Sequence, residues 1–304
     1  MTQKLYLRIR PIILFILFIL FGTIHTQAKT SELTKIQSDS TLISYLKEFG
    51  IETTSHNELE LLKSGKEKFI DLFQKIETAK HHIHLEYFNF RNDSIANTLF
   101  ELLGKKAQEG VEVRAIFDAF GNASNNQPLK KKHLKAIREK GIEIVQFDPI
   151  RFPWINHVFH RDHRKIVVID GAIGYTGGMN IADYYINGLP EIGDWRDMHI
   201  RIEGEAVAHL QDIFLDMWNK CTKQQICGDL YYPYRTSLMP VPKQKNEVAI
   251  VDRYPKKDPK TMRRVYAKAI ESAEQNVQII NPYFTPTRII KKAIKKAVKK
   301  GVNV

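Results

Sequence analysis

An imidazole and an ammonium two residues apart, then an apolar run and a carboxylate, make the most chemically pointed stretch of this chain: His163-Arg164-Lys165-Ile166-Val167-Val168-Ile169-Asp170. In a strand, residues i and i+2 share a face. His163 and Lys165 are therefore expected to converge on one ligand while Ile166, Val167, Val168 and Ile169 bury the strand. A neutral ring nitrogen beside a fixed cation suits phosphate-ester chemistry: the nitrogen attacks phosphorus and the ammonium steadies the oxygens as charge gathers on them. Asp170 stands seven residues after His163, so strand parity turns it the other way. Asp170-Gly171 is also a hairpin dipeptide, and a carboxylate that braces the turn is expected there.

The elements around this stretch alternate between helix and strand. Residues 29–65 read as a polar linker and a poorly defined lead-in. Phe69, Ile70, Leu72, Phe73 and Ile76 then recur at helical spacing. His82 to Phe90 reads as a strand. Asn92-Asp93-Ser94 signals a helix start before Ile95, Leu99, Leu102 and Leu103. Val111 to Phe117 reads as a buried strand, Gly121 to Gln127 as a loop, Pro128 to Lys140 as a basic helix and Ile142 to Phe147 as a strand. An aromatic loop, Phe152-Pro153-Trp154, leads into the His163–Asp170 strand. Ile173 to Thr176 and Arg196 to Ile202 are two more strands, and Val207, Leu210, Ile213, Phe214, Met217 and Trp218 stripe a helix. Such alternation predicts an α/β sandwich with a mixed, mostly buried sheet. After Cys227 the prolines at 233, 240 and 242 mark a connection, and an internal repeat follows. "IETAKHHIHLEYFNF" from Ile76 is echoed by "IESAEQNVQIINPYF" from Ile270, and "KKAQEGVEV" from Lys105 by "KKAVKKGVNV" from Lys295. The fold is thus expected as two repeated halves, over 66–235 and 236–304, the second only begun.

The 304 residues are 43% hydrophobic, which fits a globular core, and their net charge of +12 favours anionic partners. Lys4, Arg8 and Arg10 precede a short apolar run from Ile12 to Phe21, so residues 1–28 read as a signal peptide or a membrane anchor. Either one places the rest on the translocated side of the cell membrane. Cys221 and Cys227 match no zinc spacing; a disulfide and two separate thiols both remain open. The helix Arg288 to Lys300 sets lysines at 291, 292, 295, 296, 299 and 300 opposite a face of Ile290, Ile294, Ala297 and Val298. A solvated crossover helix is the preferred reading over a lipid-binding one. Glu86, in an otherwise apolar strand, has to be paired if buried, and Asp118 at a strand end reads as a loop anchor.

The pattern H-x-K-x-x-x-x-D, followed by Gly177-Gly178-Met179-Asn180, resembles the phospholipase D superfamily. "IHLEYFNF" (Ile83 to Phe90), "GVEVRAIFDAFGN" (Gly110 to Asn122), "GGMNIADYY" (Gly177 to Tyr185) and "WRDMHIRIEGEAV" (Trp195 to Val207) extend the resemblance to the bacterial cardiolipin synthases of that superfamily. The resemblance implies a phosphatidyltransferase that joins two phosphatidylglycerols through a phosphohistidine at His163. It implies no cofactor and no metal, a catalytic set of His163, Lys165, Asp170 and Asp197, and phosphate contacts from Lys165, Asn180, Gly178 and Glu86. Asp197 is the better candidate for the acid that orients the histidine, and a salt bridge is an equal alternative role for Glu86. The expected partners are anionic phospholipid and a membrane surface rather than nucleic acid. The family pairs two such motifs, and residues 1–304 hold one, so impaired activity is expected of the chain by itself. An exported phosphodiesterase or nuclease and a non-catalytic lipid-binding remnant are the alternatives.

Overall fold

The computed structural model describes residues 41–149, 160–254, 260–281 and 283–304. The expected signal or anchor segment, 1–28, and the aromatic loop at 152–154 lie outside the described residues. The chain divides into two compact units, Glu52–Pro259 and the combination of Met1–Ile51 with Lys260–Val304. Residues 41–47 form helix α1 of the latter.

The first of these units runs β1 (Thr53–Thr54), β2 (Asn57–Leu62), α2 (Gly65–Glu77), β3 (His82–Tyr87), α3 (Ser94–Gln108), β4 (Glu112–Asp118), α4 (Ala119–Ser124), α5 (Lys131–Glu139) and β5 (Glu143–Phe147). It continues with β6 (Lys165–Ile169), β7 (Ile173–Gly177), α6 (Tyr184–Asn187), β8 (His199–Gly204), α7 (Val207–Thr222) and β9 (Val248–Ala249). Among the described residues the main sheet has seven strands in the order β2-β8-β7-β6-β3-β4-β5. β3, β4 and β5 run parallel, and the other neighbours are antiparallel. β3 and β6 are buried along their whole lengths, as central strands coated on both faces must be. The expected α/β sandwich with a mixed, mostly buried sheet is what the structure has.

Strand parity decides what each face receives. Ile83, Leu85, Tyr87, Val167 and Ile169 pack with Phe69, Leu72 and Ile76 of α2 and Leu99 and Leu103 of α3. The alternate residues Ile166 and Val168 pack with Val207 and Leu210 of α7, and Ile116 packs with Phe214 and Trp218 of the same helix. Local signals set the helix starts: Ser64 accepts from the Glu67 amide at 3.2 Å, and Asp93 accepts from the Ala96 amide at 3.2 Å.

Two expectations change here. The lead-in is not unstructured throughout, because β2 pairs antiparallel with β8 from Asn57↔Gly204 to Leu62↔His199. Its sequence, Asn-Glu-Leu-Glu-Leu-Leu, is too polar to announce a strand; edge pairing supplies what burial does not. The first part of the loop expected at Gly121–Gln127 belongs to α4, which ends at Ser124, and its first turn is capped by Asp118 accepting from the Gly121 amide at 2.8 Å. Of the two readings left open for Cys221 and Cys227, the structure has separate thiols.

In the other unit, α8 (Thr261–Ser272) and α9 (Arg288–Lys299) pack through Ala267, Ile270, Ala293, Ala297 and Val302. A parallel bridge joins Asn276 to Asn303. Ile290 and Ile294 lie against this cluster, whereas Val298, expected on the same face, is 55% exposed. It lies one position beyond Ala297, about 100° further around the helix.

Candidate active site

His163 and Lys165 meet as their spacing predicts, although regular strand pairing begins only at Lys165 and His163 stands in the lead-in to β6. The Lys165 Nζ lies 3.1 Å from His163 Nδ1, 3.4 Å from its Nε2 and 2.8 Å from its carbonyl oxygen. Phe88 closes the pair from one side, its ring centroid 4.6 Å from that of His163 and 5.7 Å from the ammonium. The imidazole is reachable from solvent yet crowded by protein. Burial, then the charge of Lys165, lowers its pKa to about 4. It is therefore neutral at pH 7, with a lone pair available. Lys165 is 3% exposed. Burial lowers its pKa to about 8 against the opposing pull of Asp162 and Asp197, which leaves it mostly charged at neutral pH.

The loop after β7 brings the next group. Gly177 has φ +153, a left-handed conformation that favours glycine. A Cβ on Gly178 would stand 2.1 Å from Asp197 Oδ1, so the two glycines let Asp197 come close to the sheet end. Asp197 itself precedes β8 instead of lying within the expected strand at 196–202. Its Oδ1 accepts from the Met198 amide at 2.7 Å. Among the described residues no hydrogen bond joins it to His163, and its electrostatic neighbours are Lys165 and Lys68. Asn180 is 7% exposed and its Oδ1 is buried without a hydrogen-bond partner. The structure thus gathers His163, Lys165, Gly178, Asn180 and Asp197 at one end of the sheet.

Asp170 and Glu86 do not join them. Asp170 lies at the far end of β6, roughly 20 Å along the chain from His163 at about 3.3 Å per residue. Its carboxylate accepts from the backbone amides of Lys80, His81 and His82 at 2.8, 2.8 and 2.9 Å. It is a brace, as parity predicts, but it holds the approach to β3 as well as its own turn. Glu86 pairs with Ile166 while Tyr87 pairs with Lys165, so Glu86 faces α7 and Lys165 faces α2. Arg164 donates to Glu86 Oε1 at 3.0 Å and to Asp252 at 2.7 and 2.6 Å. Burial first, and the neighbouring Asp162 second, push the Glu86 carboxyl above its usual range, against the opposing pull of Arg164. The salt-bridge alternative describes Glu86; a phosphate contact does not.

Of the supporting groups, Asp118 was legible as a loop anchor, whereas Lys68 and His199 were missed. Asp118, fully buried, accepts from the Asp162 amide at 2.9 Å and from Arg161 at 3.3 Å, so it fixes the segment that delivers His163. Lys68 on α2 is 0% exposed, and its ammonium donates to the carbonyl oxygens of Met179 and Asn180, both at 3.0 Å. Its signal was legible: Lys68, Leu72 and Ile76 are spaced i, i+4, i+8, so a charge sits in the apolar stripe. His199, 1% exposed, gave no such signal, because only the pairing of β7 with β8 brings it here.

The family "Cardiolipin synthase, PLD-like domain" matches residues 72–218. A cardiolipin synthase of Halalkalibacterium halodurans is 33% identical over 100% of this chain and 64% of its own length. One of Staphylococcus aureus is 39% identical over 83% of this chain and 50% of its own. The chain thus spans between about half and two thirds of the length of these relatives. Among solved structures, phosphatidylserine synthase of Haemophilus influenzae superposes with a TM-score of 0.55 at 17% identity, covering 80% of this chain and 60% of that one. That likeness concerns the fold.

Proposed function

The chain belongs to the phospholipase D superfamily and carries the phospholipase D-like domain of cardiolipin synthases, and from that premise we propose that it transfers a phosphatidyl group from one phosphatidylglycerol to another. The observation that carries the reading is a neutral His163 held within 3.1 Å of the Lys165 ammonium. A His163 nitrogen attacks the phosphodiester phosphorus, a P–N bond forms, and the P–O bond to glycerol breaks. Glycerol takes a proton from water as it leaves, and the attacking hydroxyl returns one to water in the second step. The hydroxyl of a second phosphatidylglycerol then attacks phosphorus, loses its proton and expels His163, giving cardiolipin. Lys165 counters the charge on the phosphoryl oxygens throughout. Its ammonium has to leave the imidazole for the phosphate, which frees the ring lone pair. Asp197, whose charge acts on Lys165 after that of Asp162, receives the imidazole N–H once substrate turns the ring. Asn180 completes the oxygen contacts through its amide.

The same reading puts the domain at the surface of the cell membrane, on the translocated side, because of the basic and apolar pattern of residues 1–28. None of the helices among the described residues is long and apolar enough to cross a membrane. It also takes the unit containing α8 and α9 as a second copy of the α2–β4 region. The bridge Asn276↔Asn303 corresponds in the repeated sequence to the pair His82↔Glu112 of β3 and β4. The test is to incubate the full chain with radiolabelled phosphatidylglycerol, quench it in base and look for label on His163. Acid-labile, base-stable label that vanishes in His163→Ala is expected. Label or cardiolipin formation that survives in His163→Ala overturns the reading, as does a wild-type chain that takes up no label; product from the wild type is expected to be weak, because residues 1–304 hold one of the paired motifs.

A further inference from the structure

Lys68 is a charged group that the proposed reaction does not use. It sits in the stripe of α2 that faces the sheet, wholly buried, with its ammonium 4.7 Å from the ring centroid of Phe69 and 5.1 Å from that of Tyr87. Among the described residues no carboxylate forms an ion pair with it. A buried, unpaired ammonium is strongly unfavourable, and a neutral donor would suffice to fasten a loop. Two of its protons are spent on the Met179 and Asn180 carbonyls.

The sheet register shows what surrounds it. Tyr87 pairs with Lys165, Thr176 with Ile166, and Gly177 with His199. Tyr87, Lys165, Gly177 and His199 therefore form one row across β3, β6, β7 and β8, and their side chains point toward α2. Gly177 leaves a gap in this row, and the His199 ring leans into it: a Cβ on Gly177 would stand 2.5 Å from His199 Nδ1. Both His199 nitrogens are buried without a hydrogen-bond partner. Two ammoniums and an unpartnered imidazole thus converge behind the loop that carries Asn180. Their mutual influence is consistent with this: His199 is held well below its ordinary pKa by burial and then by Lys68 and Lys165, and Lys68 is lowered by burial and then by Lys165. An anion brought to Lys165 relieves that repulsion.

We propose that Lys68 is a positioning residue of the phosphate site, fastening the Gly178–Asn180 loop and supplying, beside Lys165 and His199, a buried positive charge that favours a phosphodiester anion. The proposal rests on reading His163 and Lys165 as the phosphate-transfer pair. Its test compares the full chain with Lys68→Met, Lys68→Gln and Lys68→Arg. Histidine ring titrations are followed by NMR, affinity for inorganic phosphate by calorimetry and folding by thermal melting. In the wild type His199 stays neutral far below pH 6.5. In the Met and Gln variants its titration rises toward the ordinary value, and phosphate affinity falls about tenfold or more, as expected for loss of a charge several ångströms away in a partly desolvated site. Arg retains both properties. The Gln variant keeps a donor for the loop carbonyls and serves if Met does not fold. A folded Met or Gln variant with wild-type titration and phosphate affinity reduces Lys68 to a packing residue. So does a wild-type His199 that titrates near 6.5, a measurement that needs no variant. A wild type that binds no phosphate, while Lys68→Met still moves His199, refutes the phosphate-transfer reading and the anion-binding role together but leaves the electrostatic coupling standing.

Discussion

The α7 face of β3 carries a hydrogen-bonded chain of imidazoles that should make the fold acid-sensitive. His82 and His84 are both 0% exposed. His82 Nε2 lies 3.1 Å from Gln211 Oε1, Gln211 Nε2 lies 2.9 Å from His84 Nδ1, and His82 Nδ1 lies 2.7 Å from His81 Nδ1. Burial, then the neighbouring His81, lowers the His82 pKa from 6.5 to about 4, against smaller opposing effects of Gln211, Asp170 and Glu112. Between those two values the unfolded chain holds a proton on this ring and the folded chain does not, so stability falls as the pH drops from above 6.5 toward 4. A shift of that size is worth about 3 kcal/mol in all, of which about 2 kcal/mol is lost between pH 7.5 and 5. Other groups contribute as well: His84 and His199 act in the same sense and the raised carboxyls Glu86 and Asp162 in the opposite one. Comparison with His82→Gln cancels them, because Gln keeps a polar side chain facing Gln211 but cannot titrate. The assay is urea unfolding at pH 7.5, 6 and 5, followed by the fluorescence of Trp218, which stacks at 5.8 Å on the Phe214 that covers His84. The variant is expected to lose about 2 kcal/mol less than the wild type over this range. A wild-type-to-variant difference that stays constant within about 0.5 kcal/mol, a little beyond the error of the extrapolation, refutes the reasoning.

Two further outcomes test how the site is held. Asp170→Ala strands three backbone amides and should cost about 2–3 kcal/mol in urea unfolding while leaving phosphate affinity unchanged; loss of phosphate binding by a folded variant would restore Asp170 to the catalytic set. Gly178→Ala drives its methyl group into Asp197 and should move that carboxylate away from Lys165. The Lys165 pKa then falls below its value of about 8, and the pH at which phosphate affinity disappears should move down with it; an unchanged alkaline limb in calorimetric titrations contradicts the placement of Asp197.

Much of this protein is written locally. The apolar run Ile166–Ile169 announces a central strand, and the two-residue spacing of His163 and Lys165 brings ring and ammonium together whatever the rest of the chain does. Parity likewise turns Asp170 away from them. These features are legible because they depend on neighbours two to four residues apart, where backbone geometry leaves little choice. Lys68 belongs to the same class, since its misplaced charge shows in the helical stripe itself. The tertiary structure decided the rest. Glu86 and Arg164 pair across adjacent strands, and only the register of β3 with β6 shows that they share the face opposite Lys165. Asp118 and Asp162, like Asp170 and His82, meet across loops whose paths no local pattern encodes. His199 enters the site because Gly177 stands beside it in the sheet and offers no side chain to keep it out. Periodicity fixes which way a side chain points from its own strand, and long-range pairing fixes what it finds there.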